Sequence, residues 1–332
     1  MLDNIYSEEL KNKVLNLSDE ELEVVNKDGL AYLWTTMISG NNDLHTHTSF
    51  SNGRDSPSKI MEEIMRRGLD AFSITDHDTY KSFSIIDVLY SKILPTGITL
   101  PDFIPGIELS AEYKGETIHI LAYFPLGTYF LMDDVLERQA QYRAERNQAV
   151  VDKAQEQGIR IDIKDVNSMG GGVIGSIHIA NVLLRKGYVA SFDEAYRDYL
   201  NKGQPLYVKK QVDPAEQIIK EVRACGGVPV LSHPTRYDVW SNLDSNTDIE
   251  SQLLDSISTL KDYGLQGIEV LSSEATLGQS RILANIGTEL DLLPTAGSNY
   301  HGSNRPYINL RNKNDDPRKF LSLFYQEFRN KR

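Results

Sequence analysis

The stretch SPSKIMEEIMRRGLDAFSITDHD, residues 56–78, decides the fold. Ser56 suits the cap of a helix and Pro57 its first position, where the missing N–H costs nothing. Ile60, Met61, Ile64 and Met65 recur at helical spacing and define one apolar face. Gly68 can take the left-handed conformation that stops a helix. Residues 71–74 form a short apolar run, read as a buried strand, which leads into Thr75-Asp76-His77. A helix followed by a strand that ends in histidine is one unit of an alternating α/β fold.

The unit returns at residues 213–234. Asp213-Pro214-Ala215-Glu216 reads as a capping box with Pro at the first helical position. Ile218, Ile219 and Val222 form the apolar face, and Gly226-Gly227 ends the helix. Residues 228–231 are then a strand leading to Ser232-His233-Pro234. Further buried strands are predicted at 43–45, 103–108, 117–123, 265–271 and 292–297. About seven strands, mostly separated by helical stretches, predict a parallel sheet in a closed or nearly closed barrel.

Two segments depart from this rhythm. Residues 131–210 are richer in helix formers and charge and contain the turn Gly170-Gly171-Gly172, which predicts a mostly helical insertion over one end of the barrel. Residues 1–40 read as an amphipathic helical extension. There Leu15, Leu17, Leu22, Val24 and Val25 sit among charges before the apolar residues 30–38, as a packing or dimerisation arm would require. The expected division is therefore an extension (1–40), a barrel domain (41–130 and 211–332) and the insertion (131–210).

The 332 residues suffice for one large α/β domain with an insertion. Lys plus Arg number 35 against 47 Asp plus Glu, a net charge of −12. Such a chain has no general attraction for anionic lipid and no extended nucleic-acid surface, although a local basic pocket is compatible with it. The single cysteine, Cys225, excludes an intrachain disulfide and fits a reducing cytosol. It precedes the glycines of a helix end and reads as structural. No apolar run is long enough to span a bilayer, and the polar, acidic residues 1–9 do not suit a signal peptide. A cytoplasmic protein is expected. No phosphate-cradling GxxxxGK[ST] loop is present, so an NTP-driven reaction is not indicated.

Of the seven histidines, His45, His77, His233 and His301 each fall at or just past the end of a predicted strand. His47 follows His45 by two residues, so both side chains of an extended segment point to one side. His119 lies inside the strand 117–123. In a parallel barrel these ends converge on one face. Imidazoles converging with a carboxylate such as Glu108 suit Mn, Fe or Zn, because neutral nitrogen and anionic oxygen match borderline ions. Glu108 has two oxygens and can bridge two ions. Asp43, Asp76, Asp78 and Glu269 are acidic residues nearby, read as acceptors that support the ligands.

Here the pattern becomes specific. Asp43-Leu44-His45-Thr46-His47-Thr48, Ile74-Thr75-Asp76-His77-Asp78, Gly106-Ile107-Glu108, Ile118-His119-Ile120-Leu121, Leu231-Ser232-His233-Pro234 and Gly297-Ser298-Asn299-Tyr300-His301-Gly302 follow one another over roughly residues 43–305. In order and spacing they resemble the PHP (polymerase and histidinol phosphatase) superfamily. Within it the chain resembles the bacterial branch with a helical insertion, which includes nucleoside 3′,5′-bisphosphate phosphatases and 5′-to-3′ exoribonucleases on short RNA. The resemblance implies an α/β fold, a distorted (β/α)7 barrel with a helical insertion domain. It also implies two or three divalent transition metal ions, manganese first, with iron or zinc as alternatives.

Carried over by motif, the resemblance implies three ligand sets. One ion would take His45, His47, Glu108 and Asn299, and a second His77, His301 and Asn52. A third would take Glu108, His119 and His233. His45, His47, His77, Glu108 and His301 are the implied catalytic group. The family usually has Asp at the positions of Asn52 and Asn299, and an amide oxygen brings no charge to a cation. Arg143 and Arg146, three apart on a predicted helix, together with His178 and Arg236, are the candidate phosphate ligands. The related branch often has Arg where this chain has Ser176.

The expected activity is hydrolysis of phosphate esters on a small nucleotide-like or sugar-like substrate by metal-activated water, with nucleoside 3′,5′-bisphosphates or short RNA 5′ ends as examples. The alternatives are a cyclic phosphodiester or another hydrolase reaction on the same centre, or a metal-binding module with activity reduced by Asn52 and Asn299. A small phosphorylated substrate is the expected partner, with oligomerisation through residues 1–40 as a further expectation.

Overall fold

A computed structural model describes residues 14–169, 172–238 and 247–312. Helix α1 (Asp19–Ser39) begins at Ser18, whose side chain accepts from Glu21 N while Glu21 reaches back, and it ends at Gly40 in the left-handed region. Its Leu33 and Met37 are fully buried, and Asn26 donates to the carbonyl of Gly227 at 2.5 Å. The helix thus packs on the chain's own core, whereas Leu15 and Val24 stay exposed. Helix α2 (Pro57–Arg67) follows the expectation closely. Ser56 accepts from Lys59 N, Ile60, Met61 and Ile64 are buried, and Gly68 (φ 68°) caps the end.

Eight strands are present among the described residues, in two sheets. The first sheet joins β1 (Asn42–Asp43), β2 (Ala71–Phe72) and β3 (Asp102–Phe103), all parallel. The second runs in the order β4 (Gly106–Tyr113), β5 (Glu116–Tyr123), β6 (Val228–Leu231), β7 (Gly267–Leu271) and β8 (Leu293–Ala296). The other α-helices among the described residues are α3 (Phe83–Ile93), α4 (Asp133–Glu156), α5 (Ile163–Asn167), α6 (Ser176–Arg185), α7 (Phe192–Ala195), α8 (Ala215–Ala224), α9 (Thr247–Asp262) and α10 (Leu277–Glu289).

The wholly parallel arrangement is corrected. Strands β4 and β5 form an antiparallel hairpin, and β5 pairs antiparallel with β6; only β6, β7 and β8 continue in parallel. The hairpin turns at Lys114-Gly115, both with positive φ (50° and 85°), the geometry of a tight two-residue turn. The predicted strand 103–108 is two strands separated at Pro105, which has no N–H to give to a ladder. Isolated parallel bridges, Thr46 to Tyr300 and His77 to Glu108, link the two sheets at the ends where the histidines lie. The capping box at Asp213 is also corrected. Helix α8 starts after Pro214 with no side-chain cap, and Asp213 instead accepts from Arg138 Nε (2.7 Å) and Tyr142 (3.0 Å).

The apolar interior falls into two clusters. The larger holds the sheets together with α1, α2 and α8. The smaller is built from residues 150–206, including Val150, Ile161, Ile179, Leu183 and Leu206. This second cluster meets the loop after β1 where Val173 N donates to Phe50 O at 2.8 Å. Gly172 is required there, because a Cβ would lie 2.0 Å from the Phe50 oxygen. Gly170 and Gly171 of the predicted turn lie outside the described residues. No described helix is long and apolar enough to cross a membrane.

Candidate active site

His45, His47, His77, His119, His233 and His301 come together around Glu108. The segments after β1 and β8 are tied together, with His47 N donating to Tyr300 O and Asn299 N to His45 O, both at 2.8 Å. The segment after β2 is tied to β4 through Asp78 N and the Glu108 carbonyl, 3.1 Å apart. Asp78 (φ 49°), His233 (φ 27°) and Asn299 (φ 55°) all adopt the left-handed region, costly for a residue with a Cβ. Backbone strain of this kind, about 1–3 kcal/mol per residue, gathers where the surroundings fix a functional geometry.

Glu108 is the hub, 1% exposed. Its Oε2 lies 3.4 Å from His45 Nε2, 3.0 Å from His47 Nε2 and 3.3 Å from His77 Nδ1. Its Oε1 lies 2.8 Å from His233 Nε2 and 3.2 Å from His119 Nδ1. His45 Nε2 and His47 Nε2 face each other at 3.1 Å, and the rings of His47 and His301 are 4.3 Å apart between centroids. Three groups could each hold an ion: His45, His47 and Glu108; His47, His77 and His301; and His77, Glu108 and His119. Geometrically, His47 also reaches the implied second set and His77 the third.

The neighbouring acids act as acceptors. Glu269 takes His45 Nδ1 at 2.9 Å and His233 N at 2.7 Å, while Asp76 takes Thr48 N at 2.7 Å and the Ser51 hydroxyl at 2.6 Å. Asp43 accepts from Ser298 N at 2.8 Å and Arg311 N at 3.0 Å. Burial holds His47, His77 and His301 below the ordinary imidazole range and brings His233 down to about 4, so these rings are neutral. Burial acts the same way on His45, but the Glu269 and Glu108 carboxylates overcome it and raise that ring to about 10. Glu108 stays ionised despite burial because imidazoles surround it.

Beside this centre is a cavity of about 360 Å³ lined by His77 and His119 together with Arg143, Arg146 and Lys210. Arg143 Nε lies 2.7 Å from Asp78 Oδ2 and Lys210 Nζ 3.2 Å from the same oxygen. Burial opposes the charge on Asp78, but these two cations bring it down to about 2. Arg146 is 9% exposed and donates to Ser176 Oγ at 2.5 Å, while its Nε is buried without a partner. Among the described residues no carboxylate pairs with Arg146 within 4.0 Å, and burial followed by the nearby Arg143 lowers it to about 10. Burial, with Arg143 adding to it, lowers Lys210 to about 7. Three cationic groups thus face one carboxylate.

Not every predicted phosphate ligand reaches this wall. Arg236 is partly exposed and lies 3.5 Å from Glu274. His178 accepts from Gly175 N at 2.9 Å and lines a smaller cavity of about 130 Å³. Asn52 borders both cavities. Lys210, Glu274 and Arg305 also stand here, and nothing in the sequence marks them, because a single charged residue in a loop carries no local signal.

A profile of the PHP domain matches residues 43–222, more than half of the chain. The chain belongs to the PHP domain family. Its expected class, a metal-dependent phosphoesterase, follows from that membership. Among relatives of the PHP chain, a 5′-3′ exoribonuclease of Haemophilus influenzae is 27% identical over 259 residues, covering 78% of this chain and 89% of its own. A 3′,5′-nucleoside bisphosphate phosphatase of Chromobacterium violaceum is 26% identical over 270 residues, covering 79% and 87%. A solved structure from Bifidobacterium adolescentis, assigned as a metal-dependent phosphoesterase, superposes with a TM-score of 0.68 at 26% identity, covering 85% of this chain and 95% of that one.

The residues present fit divalent transition ions. His47 Nδ1, His301 Nε2 and Asn299 Oδ1 are buried with no hydrogen-bond partner, and His77 Nδ1, although 3.3 Å from Glu108, is not aligned for one. Buried acceptors and neutral imidazoles left in this state are unfavourable unless a cation meets them.

Proposed function

We propose that this protein hydrolyses a phosphate ester of a small nucleotide-like substrate, of the class of nucleoside 3′,5′-bisphosphates or short RNA 5′ ends, at the Glu108 centre. The observation that carries this is a single cavity lined by two of the clustered imidazoles, His77 and His119, and by an excess of cationic side chains. His45, His47, Glu108 and Asn299 would hold one ion; His77 and His301, with His47 and Asn52 beside them, a second; Glu108, His119 and His233 a third. When bound, such ions acidify water and neutralise charge on phosphoryl oxygens. Manganese is the first candidate, with iron and zinc next.

The chain's own residues do the rest. Glu108 supplies the one carboxylate shared by five imidazoles, and burial keeps most of those rings neutral so that their lone pairs serve cations rather than protons. Arg143, Arg146 and Lys210 bind phosphoryl oxygens, and Asp78 aims two of them by pairing with Arg143 and Lys210. Water adds to phosphorus and one ester P–O bond breaks, giving an alcohol with inorganic phosphate from a monoester, or an alcohol with a phosphate monoester from a diester such as RNA. We further read residues 131–210 as an insertion that caps the site, residues 41–130 and 211–332 as a distorted barrel, and the protein as cytoplasmic.

The test is a hydrolysis screen with the Mn²⁺-loaded protein. The panel holds a nucleoside 3′,5′-bisphosphate, a 5′-phosphorylated short RNA, a sugar phosphate and a cyclic phosphodiester. Turnover of one of the first two is expected. Cleavage confined to the cyclic ester, or none of the four cleaved, contradicts the reading.

A further inference from the structure

Glu274 lies in the loop after β7, outside every motif that marks the site. Its Oε2 accepts from Asn299 Nδ2 at 2.9 Å, and its Oε1 lies 3.0 Å from Arg305 Nη1 and 3.5 Å from Arg236 Nε. Asn299 is 1% exposed and bonded by its main chain to both flanks of the imidazole cluster. Its N–H meets the His45 carbonyl, and its carbonyl meets His301 Nδ1 at 2.8 Å. The second contact makes His301 Nδ1 the donor and leaves the lone pair on Nε2, a buried atom without a partner.

The amide side chain is organised in the same way. With its NH₂ group held by Glu274, Asn299 presents only Oδ1, which is buried and has no donor. Turning the amide over would set its oxygen against the Glu274 carboxylate, two acceptors with no proton between them. Glu274 therefore dictates which atom of Asn299 is available, and the arginines on its other oxygen keep it in place.

We propose that Glu274 is a positioning residue that orients the Asn299 amide so that Oδ1 serves as an oxygen donor to the divalent cation of the imidazole centre. This rests on the metal-centre reading above.

The experiment is Mn²⁺ affinity of the full chain by chelator competition, with thermal unfolding as a check on the fold. Glu274→Leu frees the amide to turn and lowers affinity about 10-fold or more, the usual effect of removing a partner that orients a ligand. Glu274→Gln retains an acceptor oxygen for Asn299 and restores affinity to within about threefold of the parent. Asn299→Asp sets two carboxylates against each other and gains little, whereas Asn299→Asp combined with Glu274→Gln supplies a donor to the new carboxylate and binds about 10-fold tighter than Asn299→Asp alone. Parental affinity in a folded Glu274→Leu protein overturns the proposal. If that variant does not fold, equal affinities for Asn299→Asp with and without Glu274→Gln overturn it instead. A parent that binds no Mn²⁺ at all overturns the metal-centre reading and this proposal together, so the two failures are told apart.

Discussion

Two buried carboxylates, Glu108 and Asp78, stand near each other and have opposite company. Glu108 is ringed by imidazoles, most of which burial keeps neutral. Asp78, one residue after His77, is fully buried against a guanidinium and an ammonium. Neutral nitrogen around an anion is an incomplete arrangement that a divalent cation completes. A guanidinium and an ammonium around one carboxylate already balance it, and Arg146, which has no carboxylate partner among the described residues, would make that wall a site for a second anion. On the proposed function, the same carboxylate chemistry would serve cation binding around Glu108 and anion binding around Asp78.

If this division holds, the two ends fail separately. Glu108→Gln keeps the shape but removes the charge that five imidazoles share. Bound cation, measured by elemental analysis, should fall below one per chain, and hydrolysis by more than about 100-fold. Activity within tenfold of the parent would break the comparison. Arg143→Met should leave cation content unchanged and raise KM for the phosphorylated substrate about 10- to 100-fold, since a charged hydrogen bond is worth about 1.5–3 kcal/mol. Loss of bound metal in that variant would show that the two ends are one unit.

A smaller effect sharpens the anion-binding end. Burial lowers Lys210 to about 7, so it is charged below that pH and neutral above it. The wall therefore loses a positive charge as pH rises, and KM should increase by up to about tenfold between pH 6 and 8. Lys210→Met should have the higher KM throughout and lack this rise. An identical pH dependence in both proteins would assign the titration elsewhere.

What the sequence revealed follows from how local each signal is. Ser56, Pro57 and Gly68 mark the ends of α2 because caps act within one turn. The six histidines and Glu108 were legible because strand ends in such a fold share a face. The antiparallel pairing of β4 and β5 was not, because Lys114-Gly115 lacks the usual Asn or Asp of a tight hairpin turn. Asp213 has the pattern of a helix cap, yet Arg138 and Tyr142, distant in sequence, claim its carboxylate. Lys210 and Glu274 gain their roles only from partners 132 and 25 residues away, Asp78 and Asn299, which no local pattern encodes.

The most direct test of the account is the metal content of the purified chain after incubation with Mn²⁺, Fe²⁺ or Zn²⁺ and desalting. The structure predicts more than one ion retained per chain with at least one of these metals, because Glu108 and its imidazoles form three overlapping groups that can each hold an ion. A correctly folded protein that retains none of the three metals would contradict it.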